Sequence, residues 1–219
     1  ARRYLMAEGI RPETIIKTGS HMDEVFEHYM AGILASDILE REGLEAGKFF
    51  IVSTHREENV DTRSNLCDLI DSLQALAETY RFPVIVSTHP RTRKRLEASG
   101  TSLAHPLIRF AKPFGFLDYI KLQMSAFCIL SDSGTITEEA SLLNLPAITI
   151  RNAHERPEGM DEGTLVMSGL KREGVLEAVR VVTDQHVPDA RVIPIVNDYL
   201  GGPVSKQVVR VVLSYTDYI

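Results

Sequence analysis

The sequence predicts an α/β fold, a Rossmann-like three-layer domain built on a parallel sheet. Three observations carry that expectation. Short apolar runs of strand length recur at 49–53, 83–87, 107–110, 126–130, 146–150 and 164–167. Helical patterns fill the intervals, most clearly over 62–80, where Leu66, Leu69, Ile70, Leu73, Leu76, Ala77 and Tyr80 form one continuous face. The apolar runs do not alternate with polar residues, as befits strands covered on both faces.

Taken in order, residues 1–10 read as a short helix and Ile15 to Gly19 as a strand ending in a turn. A strand there lies before the rest of the sheet, so it is expected to expose an edge. From 21 to 41, Val25, Tyr29 and Ile33 share a helical face, with Phe26, Met30 and Leu34 beside them. Gly43 to Lys48 is the best boundary, and the alternating pattern begins beyond it. Helices over 171–183 and 203–215 close the chain, the second after the Gly201-Gly202-Pro203 turn. The expected organisation is a remnant of a preceding domain with a connecting helix at 1–41, one complete α/β domain at 42–190, and a tail with a helix at 191–219. Position 1 is Ala, which suggests a chain that was cut, processed or taken from something longer.

A composition of 44% hydrophobic and 25% charged residues over 219 positions is that of a soluble globular protein. A net charge of -6 gives no broad field for nucleic acid or an acidic membrane, so an anionic ligand must be held by local donors. Cys67 falls in a helical pattern and Cys128 in a strand, which reads as two packed thiols in a reducing compartment. No secretory core or membrane-length apolar run appears, and the expected location is cytoplasmic.

The chain is organised around Ser131-Asp132-Ser133-Gly134-Thr135-Ile136-Thr137-Glu138-Glu139. A strand precedes it, and Ile136, Ala140 and Leu143 follow as an apolar helical stripe. Thr135 and Glu138 have the spacing of a capping box. Strand, tight polar turn and helix start together present free backbone N–H groups beside the positive end of the helix dipole. Gly134 permits close approach, and the Ser133 and Thr135 hydroxyls are further donors, an arrangement suited to phosphate. An ordinary capped turn has the same sequence, so this stretch alone leaves both readings open.

Other polar residues fall at the same ends of the strands, where open parallel sheets bind ligands. His55-Arg56-Glu57-Glu58-Asn59, His89-Pro90-Arg91, Lys112-Pro113-Phe114 and the 151–158 segment each follow a strand. Five successive strand ends of this kind favour a binding site. Each residue keeps a plainer alternative. His55 could pair with Glu57 or Glu58 on a surface loop, or act as a proton carrier. Glu139 could merely favour the helix dipole, or accept from sugar hydroxyls. Arg156 could pair with Glu155 or Glu158, or help to clamp a diphosphate. Tyr119 could be core, or stack on a base. No zinc-type or calcium-type spacing, no Ser-His-Asp assignment and no GxGxxG fingerprint is present.

Together, His55-Arg56-Glu57-Glu58-Asn59, Asp132-Ser133-Gly134 with Glu138-Glu139, and Glu155-Arg156-Pro157-Glu158 resemble the non-hydrolysing UDP-N-acetylglucosamine 2-epimerase family, from about residue 4 onward. The resemblance implies the C-terminal half of a glycosyltransferase-B-type fold, with residues 42–190 as the UDP-binding domain. It implies C2 epimerisation of a UDP-linked N-acetylhexosamine by elimination and re-addition of UDP, with no metal or nicotinamide cofactor. By motif, Ser133 and the backbone at Gly134 would meet the diphosphate, Glu139 the ribose and Tyr119 the uracil, with Thr135 counted in the same binding set. His55 and Arg156 would face the phosphates and sugar, Arg56 would belong to the substrate-binding set, and His55 would be the one catalytic candidate in this chain. The full-length enzyme would be a homodimer, with its catalytic carboxylates in the other domain. Glu57, Thr135 and His154 depart from the commonest family pattern. With the Tyr215-Thr216-Asp217-Tyr218 tail, they look like the subgroup acting on modified UDP-N-acetylhexosamines. The alternatives are the donor domain of a glycosyltransferase and a non-catalytic UDP-sugar-binding module.

Overall fold

The computed structural model describes residues 2–54, 56, 62–88, 105–153, 155–188 and 190–216. Strands β1 (Phe50–Ser53), β2 (Val84–Ser87), β3 (Ile108–Ala111), β4 (Cys128–Ser131), β5 (Ala147–Thr149) and β6 (Val166–Met167) form one sheet in the order β3-β2-β1-β4-β5-β6. Every pairing is parallel. Each strand coincides, within two residues at either end, with an apolar run seen in the sequence. The expected three-layer α/β class is the observed one.

The register explains why these runs carry no polar alternation. Phe50, Val52, Val84, Val86, Cys128 and Leu130 point to one layer of helices, and Ile51, Ile85 and Ile129 to the other. The first layer is α4 (Arg63–Tyr80) and α8 (Arg172–Gln185), which contribute Leu69, Leu73, Leu76, Val175 and Val179. Opposite them lie α3 (Ile38–Glu42), α5 (Phe116–Ser125) and α6 (Ile136–Leu143), which contribute Ile38, Leu122, Ile136 and Ala140. Burying both faces removes the polar option through the middle of the central strands β1, β2 and β4. Helix α2 (Met22–Ala35) packs outside this layer, its Phe26 and Ile33 on Ile120 of α5. Helices α1 (Arg2–Ala7), α7 (Pro157–Asp161) and α9 (Val204–Tyr215), with a single 3-10 turn at Pro12–Thr14, complete the described elements. Helix α9 leaves Val209, Val212 and Leu213 exposed.

Three local expectations are corrected. The helical pattern at 21–41 is two helices, because Ser36 adopts an extended conformation between α2 and α3. The Ser36 hydroxyl donates to Asp118 at 2.6 Å and accepts from the Ile38 amide at 3.3 Å, so the break is held by side-chain bonds. Residues 15–19 are not a strand. A strand needs a neighbour for its backbone groups, and the segment beside this one is the 199–201 turn, which it crosses instead of flanking. The Ser20 amide donates to the Tyr199 carbonyl at 3.2 Å, and Lys17 pairs with Asp198 at 2.6 Å. Cys67 is exposed on α4, unlike the buried Cys128, whose thiol burial pushes up to about 12.

The crossing of residues 18–19 over residue 201 is close enough to require glycine. A Cβ on Gly201 would overlap the Thr18 carbonyl oxygen and the Gly19 Cα, both backbone atoms with no freedom to rotate away. Gly201→Ala is expected to cost roughly 1–3 kcal/mol, the usual range for overpacking, measured as a shift in the urea unfolding midpoint.

Candidate functional site

In this strand order β1 lies between β2 and β4, so the chain leaves β1 toward one edge of the sheet and later returns to the other side. Such a switch of direction opens a crevice outside the carboxyl ends of the two central strands. Thr54 and Asp132 stand at those ends. The Asp132 side chain is fully buried and accepts from the Thr54 hydroxyl and the Arg56 amide, each at 3.0 Å. The Asp132 amide in turn donates to the Ser53 carbonyl at 3.1 Å. One carboxylate thereby ties the two strand ends together and sets the start of the next turn.

That turn runs from Ser133 to Thr135 and opens α6. The Ser133 amide donates to the Ser131 hydroxyl at 3.1 Å, which bends the chain away from the sheet. The expected capping box is absent. Thr135 is already helical, with φ -70° and ψ -20°, and its hydroxyl lies 2.9 Å from that of Ser133. A capping side chain reaches the first helical turn from an extended cap residue, which Thr135 is not. Glu138, the other half of the expected box, is instead buried between two distant partners. It accepts from the Ser20 hydroxyl and pairs with Arg156 at 2.6 Å. No side chain caps α6, so its first-turn amides are not consumed by a box, while the Ser133 and Thr135 hydroxyls bond to each other and Thr135 also to Glu139.

The arginines at the mouth are held by carboxylates. Arg56 grips Glu155 with both terminal nitrogens, at 2.6 Å each. Arg151, itself buried, reaches the same carboxylate at 3.1 Å. Hydrogen bonds from Arg56 and Arg151 hold the Glu155 carboxyl below its ordinary value. Arg156 takes neither partner that sequence proximity offered. Its Nε donates to the Gly134 carbonyl at 2.9 Å while its other arm meets Glu138. A fork anchored twice presents its remaining N–H groups in a set direction, which suits recognition of planar anions. A Cβ on Gly134 would lie 2.9 Å from the Glu155 carboxylate, so the turn and this acceptor sit close together. A cavity of about 400 Å³, lined in part by Ser20, Glu138, Arg156 and Tyr199, adjoins this cluster.

Behind the turn, α5 and α6 bring together Tyr119, Gln123 and Glu139. Tyr119 packs into the core, its hydroxyl against the side chains of Ser53 and Gln123, and burial pushes it up to about 12. Glu139 is buried, and its carboxylate accepts from the Gln123 amide at 2.7 Å. Loss of water raises the Glu139 carboxyl above its usual value, and the Gln123 bond opposes that rise.

Of the residues singled out by sequence, the fold gathers Arg56, Ser133, Gly134, Thr135 and Arg156 at the crevice, with Tyr119 and Glu139 just behind. His55 and His89 lie outside the described residues. Lys112 follows β3 at the far edge of the sheet and is exposed. Sequence reasoning missed Arg151, Glu155 as the shared acceptor, Gln123 and Ser20. The i,i+4 spacing of Arg151 and Glu155 was a weak signal. Ser20, 118 residues from Glu138, offered none. Among the described residues there is no group of three or more His, Cys, Asp or Glu placed to hold a metal, and no helix long and apolar enough to cross a membrane.

Strand order and crevice define a doubly wound, Rossmann-like α/β domain with an anion-suited turn at its switch point. The family model of UDP-N-acetylglucosamine 2-epimerase matches residues 1–213, and this chain belongs to that family. A solved UDP-N-acetylglucosamine 2-epimerase from Rickettsia bellii is 54% identical, with a TM-score of 0.93 over 100% of this chain and 58% of its own. The Methanocaldococcus jannaschii enzyme of the same name is 34% identical over 173 residues, 78% of this chain and 45% of that protein. Its crystal structure in complex with UDP-GlcNAc and UDP superposes with a TM-score of 0.84 at 27% identity, covering 98% of this chain and 58% of that one. The chain therefore spans about half the length of the relatives it matches.

Two outcomes test this geometry. Asp132→Ala is expected to lower stability by about 1–3 kcal/mol, since it removes the acceptor of the buried Thr54 hydroxyl and of the part-buried Arg56 amide; a change within error would deny Asp132 its tying role. Glu155→Gln probes the arginine cluster through acid unfolding. A carboxyl whose folded value is depressed contributes stability above its unfolded value, near 4.5 for Glu155, and loses it as pH falls through the folded value. The wild type should therefore exceed the variant at pH 7 and converge with it as the solution is acidified. A gap independent of pH would contradict the assignment.

Proposed function

We propose that this chain supplies the UDP-binding half of an enzyme that inverts C2 of a UDP-linked N-acetylhexosamine. The observation that carries the proposal is the Ser133–Thr135 turn at the β1/β4 switch point, faced by doubly anchored arginines. A diphosphate leaving group gains negative charge as its bond to the sugar breaks. Preset N–H, hydroxyl and guanidinium donors stabilise that charge without having to reorganise.

In this reading Ser133, Thr135 and the backbone at Gly134 meet the diphosphate, and Arg56 and Arg156 face phosphate and sugar. Glu139 accepts from the ribose hydroxyls, and Tyr119 lies against the uracil. The reaction removes the C2 proton and breaks the bond from C1 to the UDP oxygen, leaving a glycal-type alkene. UDP then re-adds at C1 while a proton returns to the opposite face of C2. Nothing is oxidised overall. His55 is the residue of this chain proposed for proton movement, and the other acid–base groups are assigned to the half of the family's fold that this chain does not span. Residues 42–190 are taken as the UDP-binding unit of a glycosyltransferase-B-type arrangement, with 1–41 and 191–219 as flanking segments. The assembled enzyme is taken as a cytoplasmic homodimer.

Support comes from family membership together with the position of the turn. Calorimetry with UDP is expected to show saturable binding that Arg156→Ala weakens about tenfold, the cost of one charge-assisted bond. No saturation at millimolar UDP would overturn the reading. In the full-length protein, deuterium from solvent should enter C2 of the sugar, an exchange that a glycosyltransferase has no reason to perform.

A further inference from the structure

We infer that Gln123 is a positioning residue for nucleotide recognition, which orients the Glu139 carboxylate toward the ribose and holds it as an acceptor. The inference rests on the ribose role proposed above for Glu139 and adds a residue that no motif of the chain contains.

Gln123 belongs to α5, one turn beyond Tyr119, so the two side chains share a helical face. It is 1% exposed, an unusual position for an amide on a helix otherwise buried through Ile120 and Leu122. Its Nε2 donates to the Glu139 Oε2 at 2.7 Å, and its side chain also lies against the Tyr119 hydroxyl. Its Oε1 has no partner among the described residues. A buried amide oxygen left unpartnered is a cost, and a leucine or methionine would fill the same space without it. What the amide supplies and those residues lack is an N–H donor aimed at Glu139.

That donor has two consequences for the carboxylate. An N–H can only donate, so Oε2 must accept, which favours the ionised group in a site that burial would otherwise neutralise. The same bond removes rotational freedom at the end of a three-torsion side chain, and the Thr135 hydroxyl bonds to the same carboxylate, so a ligand hydroxyl meets an acceptor already oriented from two sides. Gln123 touches neither ribose nor phosphate in this account. It acts through Glu139.

The test compares UDP with 2′,3′-dideoxy-UDP, which lacks both ribose hydroxyls, by calorimetry on this chain. Wild type is expected to prefer UDP by about tenfold, as for a hydrogen bond to a charged acceptor. Gln123→Met, close in length and without a donor, should reduce that preference to about twofold while affinity for the dideoxy nucleotide stays within twofold of wild type. Gln123→Leu serves as a second variant if the methionine form does not fold. An equal loss of affinity for both nucleotides would give Gln123 a merely structural part and overturn the inference. So would an undiminished preference for UDP in a folded variant. If wild type itself shows no preference, the ribose role of Glu139 fails, and that result is distinct from either outcome in the variants.

Discussion

The architecture of the crevice depends on one buried carboxylate. Asp132 follows β4 directly, and its acceptance from Thr54 and from the Arg56 amide joins the ends of strands that lie 78 residues apart in the chain. Without that tie the β1 loop would leave the sheet independently of the β4 turn. With it, Arg56 is delivered beside the start of α6 by backbone, before its side chain makes any contact. A fully buried aspartate costs solvation unless its lone pairs are used, and here they are used on the two segments that must be kept together.

Charge around the crevice is arranged locally against an unfavourable whole. The chain carries a net charge of -6, so long-range attraction does not collect an anion. Arg56, Arg151 and Arg156 instead converge where Glu138 and Glu155 hold them in set directions. An incoming diphosphate would compete with Glu155 for donors already in place, so it need not order free side chains. The same arrangement sets a limit on affinity, since any ligand must outdo a bidentate carboxylate.

A second layer lies between the turn and the core. Gln123 and Tyr119 from α5 meet Glu139 from α6, and the three side chains connect the crevice to the packing of Leu122, Ile136 and Ala140 on the sheet. On the other flank, Glu138 connects Arg156 to Ser20, next to the crossing of Gly19 and Gly201. Adjacent carboxylates of one helix therefore serve different neighbours, one inward and one toward the segment before α2. Their sequence, two glutamates in a row, does not distinguish them.

What the sequence determined by itself was the alternation of strands and helices, the parallel class of the sheet and the turn after Leu130. These are local properties: burial on both faces writes an unbroken apolar run, and a helix writes its stripe every three to four residues. Motif resemblance also singled out Arg56, Ser133, Gly134, Glu139 and Arg156, which the fold brings to or just behind one crevice, because a fixed spacing within one turn survives as a pattern. The tertiary structure decided which partner each charged side chain takes. Arg156 found Glu138 instead of its sequence neighbours, Arg56 found Glu155 across 99 residues, and Gln123 found Glu139 from another helix. It also decided that residues 15–19, apolar enough for a strand, cross a glycine turn with no strand beside them. Hydrogen-bond and ion-pair partners are chosen by position in space, and neither spacing nor composition encodes a distance between residues that only folding brings together.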